Sequence, residues 1–503
     1  MSSSVFRGFI SIFGAKVITL LSGFLLTPIL VRLLGSSMYG DYAFLLSLLG
    51  VTMIIVNAGV FDGTRKFVAE NRDQEDWTER VFGFYLRTAI ALATVAAIIY
   101  MVISWIGFSQ QAFGPKFDIY FYLLSGLIIV RQADSVARGG LMGLGLEDRS
   151  EPLRILKNLL FFLIGLSLVY VGYGVVGVFI GHILASLIVS SVGFVLLFQQ
   201  LETQKVFARV RSSLPKWELL SFNSLSVILI LLTASLYHTD IIILRYLVGS
   251  EATGYYKAAL VVAEFLWFVP VTLQTVLLHS TSEMWSEGQM ERITNLASKI
   301  TRYNLSLTLL LGMGIAVLAQ DFIPLYFGPD FDKSVGPLLL LLPGALGFAL
   351  ARPIFAVGQG KGALNILILA TGTAALINLF LNLLLIPRYG MAGAAMATSM
   401  GYGSMFGFHV LAARRIGFNP LKNVRVSRII LIGTLSAPAI IATEVFLSSP
   451  IISLLIVPPT GFVVYTALLF KFGVITLNEV NDIIVRFPSP IPQYLIPALN
   501  EFR

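Results

Sequence analysis

Eight charged side chains sit inside stretches of this sequence that are otherwise long and apolar: Lys16, Arg131, Asp134, Arg138, Lys257, Glu264, Arg352 and Glu444, with Asp240 at the end of another. A charge at membrane depth costs about 2.5–3.5 kcal/mol on insertion scales, so those a chain retains usually face a cavity or a partner. Their types point to binding rather than to bond chemistry. Lys and Arg hold phosphate through charge-assisted hydrogen bonds, while membrane-embedded Asp and Glu relay protons or cations. Lys16, Thr19, Gly23 and Thr27 fall at helical spacing on one stripe, Lys257, Glu264, Thr272 and Thr275 on a second, and Arg131, Asp134 and Arg138 share a third face. Set against Asp134 and Glu264, the cations Lys16, Arg131, Arg138, Lys257 and Arg352 make such a cleft net positive. That favours an anionic ligand, and a phosphate or pyrophosphate head group suits it. Asp134 and Glu264 are the candidates for coupling to H+ or Na+. Plainer roles compete: 131–138 also suits a structural ion-pair ladder, Lys16 and Lys257 also suit snorkelling, and Glu444 also suits packing against its neighbouring span.

The elements that position these charges follow from composition. Of 503 residues 56% are hydrophobic and 12% charged, half the charge of a soluble domain. Apolar stretches able to cross a bilayer run over about 9–31, 42–60, 88–108, 119–142, 158–171, 175–201, 219–239, 258–278, 303–320, 334–351, 362–387, 391–413, 429–446 and 451–470. Fourteen spans of roughly 20 residues account for the hydrophobic content. The runs are continuously apolar, which excludes a β-barrel. A soluble enzyme, a nucleic-acid-binding domain and a disulfide scaffold are excluded with it, so the net charge of +8 reads as basic cytoplasmic loops, with no nucleic acid as partner. With no Cys and four scattered His, neither thiol catalysis nor a metal cluster is expected.

Five basic residues, Arg32, Lys116, Arg245, Lys333 and Arg388, fall at one set of span ends, against about 25 on the other side. Both termini are therefore expected in the cytoplasm, and the outer loops are too short for a catalytic domain. No Walker phosphate-binding loop occurs. Residues 285–302 read as a helix lying on the cytoplasmic surface, and the Pro-rich tail after Lys471 as a segment without a fold of its own.

The two halves repeat. Phe113-Gly114-Pro115-Lys116-Phe117-Asp118 returns as Phe327-Gly328-Pro329-Asp330-Phe331-Asp332, 214 residues on. At the same shift Gly40 matches Gly254 and Arg138 matches Arg352; Arg32 matches Arg245 at 213, and Tyr173–Gly177 matches Tyr389–Gly393 at 216. One common spacing at separate places is the mark of duplication. An all-α membrane protein of about fourteen helices is expected: an N-terminal lobe in 1–205, a second six-helix lobe in 206–415, two further helices in 416–475 and a cytoplasmic tail in 476–503. Parallel repeats of this kind belong to secondary transporters that alternate access between lobes. Prolines inside the spans, Pro28 and Pro343 among them, permit bends.

Val31-Arg32-Leu33-Leu34-Gly35 through Tyr39-Gly40-Asp41-Tyr42 resembles the first-loop signature of polysaccharide-biosynthesis flippases. Phe327–Phe331 does so too. Asn378–Asn382 through Ile386-Pro387-Arg388-Tyr389-Gly390 and Gly393-Ala394-Ala395 is similar to that family's signature at spans 11–12. The likeness covers roughly 5–475 and is to the oligosaccharide flippase (Wzx-like, polysaccharide transporter) family of the multidrug/oligosaccharidyl-lipid/polysaccharide exporter superfamily. It implies a V-shaped, fourteen-helix exporter that turns over glycans linked to polyprenyl or dolichyl (pyro)phosphate, for surface polysaccharide or glycoprotein glycans. By position Lys16, Arg138, Lys257 and Arg352 suit the cationic lining that the family uses, although its motifs fix no catalytic residue. The expected partners are the lipid-linked saccharide, membrane lipids and glycan-assembly enzymes, with the chain acting as a monomer without a cofactor. A cation antiporter of the same superfamily should have an acidic cleft. A membrane glycosyltransferase should have an outer carboxylate loop, for which Asp330 and Asp332 are the sole candidates.

Overall fold

The computed structural model describes residues 23–209 and 214–481, together with the helical backbone of 3–22 and 482–484. Every regular element among them is helical. The first half holds α1 (Ser3–Asn57), α2 (Trp77–Trp105), α3 (Phe117–Gly143), α4 (Glu147–Leu168), α5 (Gly174–Phe198) and α6 (Ser224–Leu247). Then come α7 (Ser250–Ala263), α8 (Phe268–Ser286), α9 (Met290–Phe327), α10 (Val335–Gly360) and α11 (Leu364–Ile416). Last are α12 (Val426–Val445), α13 (Pro450–Lys471) and α14 (Leu477–Ile484).

Eleven helical stretches among the described residues are long and apolar enough to cross a membrane, three of them 47, 52 and 53 residues long. At 1.5 Å per residue these three reach about 70–80 Å, more than twice a ~30 Å hydrocarbon core. Each is broken at a glycine whose backbone leaves the helix: Gly35, Gly172 and Gly390. The 52- and 53-residue stretches therefore each supply two crossings, while most of the first expected span, 9–31, lies outside the described residues.

The duplication is written in the backbone as well. Gly114 stands at φ 109, ψ 167 and its counterpart Gly328 at φ 114, ψ 157. Gly174 and Gly390, 216 apart, stand at φ 50, ψ −133 and φ 55, ψ −131. Such conformations are open to glycine and strained for any residue with a Cβ, so the repeated glycines mark turns that both halves need.

By internal packing the chain divides into two units, Met1–Ala258 with Thr371–Thr398, and Ala259–Ala370 with Ser399–Arg503. In the first, Phe67, Trp77, Phe82, Val136, Leu141 and Leu197 form a core, each 4% exposed or less. Small residues bring its helices together, as packing in lipid requires: a Cβ on Gly181 of α5 would lie 2.7 Å from Gly165 Cα of α4. Gly40 of α1 and Gly254 of α7 meet face to face. A Cβ on Gly40 would lie 1.8 Å from the Ser250 carbonyl oxygen, and one on Gly254 would lie 1.9 Å from that of Ser36. Beside this contact Asp41 binds Arg245 at 2.7 Å and accepts from Ser250 at 2.8 Å, while Arg245 also donates to the Phe113 carbonyl at 3.1 Å. The connection into α6 is strapped to α2: Arg87 donates to the Ala208 carbonyl at 2.8 Å and Tyr85 to that of Leu219 at 2.8 Å.

In the second unit Trp267 donates to the Ala345 carbonyl at 3.0 Å, and α9 carries α12 and α13 on an apolar face. Two expectations change here. Residues 290–302 are no separate surface helix but the first turns of the 38-residue α9, in which Ile293 and Arg302 are buried. Of the tail beyond Lys471, residues 472–484 fold locally, and the Pro-rich part from 485 on lies outside the described residues. Thr476 and Glu479 cap α14 reciprocally, at 3.3 and 3.1 Å, and Arg302 binds Glu479.

Candidate functional site

Two facing helices of the first unit carry the densest group of charges. Positions 131, 134 and 138 fall on one face of α3, as their spacing requires. Opposite them α4 presents Glu151, Arg154 and Lys157, again at helical spacing. Lys157 Nζ lies 2.5 Å from Asp134 Oδ2. Arg138 donates to Glu151 Oε1 at 3.3 Å, and Arg154 Nη2 lies 3.0 Å from Oε2 of the same carboxylate. Four cations against two carboxylates leave two positive charges in excess. Arg131 is the unspent one: its neighbours in electrostatic reach are Tyr42, Asp134, Lys157 and His182, and its guanidinium makes no hydrogen bond or ion pair among the described residues. Tyr42 and His182 meet at 2.9 Å between Oη and Nε2, and the imidazole stacks on Phe161 with ring centres 3.7 Å apart.

The ladder expected within 131–138 is thus a set of pairs between helices. Glu151, Arg154 and Lys157 lie outside the apolar stretch of span 5, which begins at 158, but inside its helix, which begins at Glu147. The periodicity of 151, 154 and 157–158 was the available signal.

A second polar group occupies the repeat-equivalent place with opposite character. Asp240 of α6 accepts from the Tyr256 hydroxyl, from Thr398 Oγ1 at 2.9 Å and from the Ile241 amide at 2.8 Å. Tyr256 matches Tyr42 at a shift of 214 and Thr398 matches His182 at 216. Nearby on α11 Asn378 donates to the Ala397 carbonyl at 3.3 Å and Asn382 to Asn378 Oδ1 at 3.1 Å, while Asn382 Oδ1 is buried without a partner among the described residues. Asp240 is 0% exposed, as are Tyr256, Asn382 and Thr398. A carboxylate among hydroxyl and amide oxygens suits a proton or a hard cation and not a soft transition metal. The sequence placed Asp240 at a span end; in the structure α6 runs on to Leu247, which puts the carboxylate inside the helix.

The remaining charges are dispersed. Lys16 lies outside the described residues. Lys257 on α7 is half-buried, within electrostatic reach of His238 and Asp240. Glu264 belongs to the other unit and opens a 3-10 turn over Glu264–Trp267, so the stripe expected from Lys257 through Thr275 loses its helical phase there. Arg352 on α10 lies over the rings of Phe348 and Phe355, 5.2 and 5.8 Å from their centres, with its Nε unpaired among the described residues. Its repeat partner Arg138 has Glu151 instead, so the two equivalent arginines do not share a role in binding a carboxylate. Glu444 lies near the end of α12. No group of three or more metal-ligating side chains occurs among the described residues.

Residues 5–273 match the family described as polysaccharide biosynthesis protein. Two relatives from Haloferax volcanii align along most of their length. A probable low-salt glycan biosynthesis flippase, Agl15, is 23% identical over 402 residues, 79% of this chain and 80% of its own. A probable flippase, AglR, is 25% identical over 413 residues, 79% and 82%. Among solved structures the lipid II flippase MurJ in an inward closed conformation superposes with a TM-score of 0.75 at 14% identity, covering 92% of this chain and 98% of that one. The architecture read from the sequence is the one these helices adopt.

Proposed function

The chain belongs to the polysaccharide biosynthesis protein family, and from that membership we propose that it is a flippase for a lipid-linked saccharide. On this reading it is a secondary transporter and not an enzyme. It moves a saccharide on a polyprenyl or dolichyl (pyro)phosphate from the cytoplasmic to the outer face of the cell membrane, with both termini in the cytoplasm, and hands it to glycan-assembly enzymes. The flippase names of the Haloferax relatives and of the MurJ fold support the class.

Arg131 carries the choice of an anionic cargo. It is a guanidinium inside a membrane span, unpaired among the described residues, in a cluster whose cations outnumber its carboxylates. The same excess disfavours a cation antiporter. Asp240, rather than Asp134 or Glu264, is the stronger candidate for H+ or Na+ coupling, because Asp134 is neutralised by Lys157.

The test begins with a deletion strain, whose lipid-linked saccharides should accumulate on the cytoplasmic membrane face and return to normal with the intact gene. Normal outer-face delivery without the gene would overturn the flippase reading. In complemented cells Arg131→Gln is expected to cut delivery roughly 10- to 100-fold, the worth of one charge-assisted hydrogen bond, at unchanged protein level. Asp240→Asn is expected to leave cargo binding intact and to remove the dependence of delivery on the ion gradient. Delivery by Asp240→Asn that still collapses with the gradient would move coupling elsewhere.

A further inference from the structure

α1 stops at Asn57, and the chain turns there into a short helix, Val60–Ala69. The turn places Ala58 at φ 38 and Gly59 at φ 79. A residue with a Cβ seldom stands at positive φ, and where it does its surroundings hold it there. Asn57 is part of that hold: its Oδ1 accepts from the Phe61 amide at 3.2 Å and from Ser135 Oγ at 3.2 Å. Beside the turn lies a cavity of about 180 Å³, whose lining includes Asn57, Asp62 and Asn223 and, on its apolar side, Ile54 and Val227.

The three polar side chains offer hydrogen bonds in both senses. Two donors on Asn57 Oδ1 fix the orientation of that amide, and its Nδ2 makes no hydrogen bond among the described residues. Asn223 donates through Nδ2 to Asp62 Oδ2 at 3.1 Å, which leaves its Oδ1 as an acceptor. Asp62 is otherwise met by Arg65, at 4.0 Å. An amide N–H, an amide oxygen and a carboxylate beside aliphatic walls match a ligand whose hydroxyls both donate and accept, carried on a ring with apolar C–H edges. A phosphate group meets the charge of Asp62 and is disfavoured.

The shared architecture of the repeats does not require these groups. At the shift of 214, Asn57 and Asp62 correspond to Val271 and Val276, and Asn223, at the start of the second repeat, to Phe9. The turn itself has no counterpart, since residues 271–276 run through the interior of α8. The pocket is instead joined to the cationic cluster. Besides the Ser135 contact, Gln132 donates to the Val56 carbonyl at 3.3 Å, and the Arg138 guanidinium lies 6.0 Å from the centre of the Phe61 ring. Arg131 stands four residues before Ser135 on α3, about 6 Å along the helix. In a glycosyl phosphate the first sugar is bonded directly to a phosphate oxygen, so neighbouring sites for anion and ring suit one head group.

We propose that the pocket of Asn57, Asp62 and Asn223 binds a sugar ring, the one joined to the phosphate held at Arg131. That this sugar belongs to a lipid-linked cargo rests on the flippase reading. The test is saturation-transfer NMR on the intact chain in detergent, with the 1-phosphates of glucose, galactose and N-acetylglucosamine as probes and inorganic phosphate as competitor. Ring protons of at least one probe should receive saturation. Asn223→Leu, which removes the open acceptor, should raise the half-saturating concentration of that probe roughly two- to tenfold, the worth of one hydrogen bond. Arg131→Gln should remove the probe's advantage over its free sugar, and inorganic phosphate should compete with the probe in the parent and not in Arg131→Gln. Should Asn223→Leu unfold, Val227→Phe fills the same pocket from its apolar side and should weaken the probe as well. No ring-proton saturation from any probe, or parent-like binding by Asn223→Leu at an unchanged melting temperature, would overturn the proposal. Sugar binding by the parent together with normal glycan delivery in the deletion strain would defeat the flippase reading and leave the pocket standing.

Discussion

Gly40→Leu and Gly254→Leu are each expected to abolish folded protein. The atom that a Cβ would strike is in both cases a backbone carbonyl oxygen, at 1.8 and 1.9 Å, so no side-chain rotation relieves the clash. α1 and α7 would have to separate, which also breaks the Asp41 contacts with Arg245 and Ser250. The cost belongs to the exceptional class of point mutations, above about 4 kcal/mol. Fluorescence-detected size exclusion of a tagged chain is the check. Gly314→Ala is the control, since a Cβ there meets nothing within 4 Å and the loss of a helical glycine should help by about 0.5–1 kcal/mol. A monodisperse Gly40→Leu protein would refute the close approach.

Glu151→Leu is expected to destabilise the protein by about 3–5 kcal/mol, the range for breaking a buried ion pair from one side. Its carboxylate, 3% exposed, faces both Arg138 and Arg154. Removing it leaves two guanidinium groups facing each other with no carboxylate between them. Because the stress is like-charge repulsion, Glu151→Leu combined with Arg138→Leu should recover part of the loss. The two changes should therefore be strongly non-additive, as neighbours in one network are. Thermal unfolding in detergent measures both. A single mutant that melts within a degree of the parent would show the cluster to be open to water.

What the sequence revealed and what it hid divide along physical lines. Span number was legible because apolar length must match bilayer thickness. The repeat was legible because Gly114, Gly174 and their counterparts are held by backbone geometry that no other residue tolerates well. The ligand-facing chemistry was legible as to charge and not as to partnership. Helical phase put Arg131, Asp134 and Arg138 on one face correctly, yet a face does not name its neighbour, and Glu151 and Lys157 were lost where an apolar window stops at a charge. Asp240 was read as a span end for the same reason, since its own charge ended the apolar run at 239 while the helix continues to Leu247. Phase failed outright at Glu264, where a short 3-10 turn resets the angle between Lys257 and Thr272.

The Gly40–Gly254 contact has a history built into it. Ser36 and Gly40 meet Ser250 and Gly254, and each residue of one set meets the other set's counterpart of its partner. That reciprocity defines an isologous interface, the kind that joins identical subunits across a two-fold axis. A single ancestral repeat with a Ser-x-x-x-Gly helix could therefore have paired with its own copy before any fusion. Fusion replaced a concentration-dependent association by an intramolecular one, with an effective concentration in the millimolar range for a short tether. Once the copies were tethered they were free to diverge. One now carries Tyr42 and His182 where the other carries Tyr256 and Thr398, an asymmetry that a homodimer encoded by one gene could never have acquired.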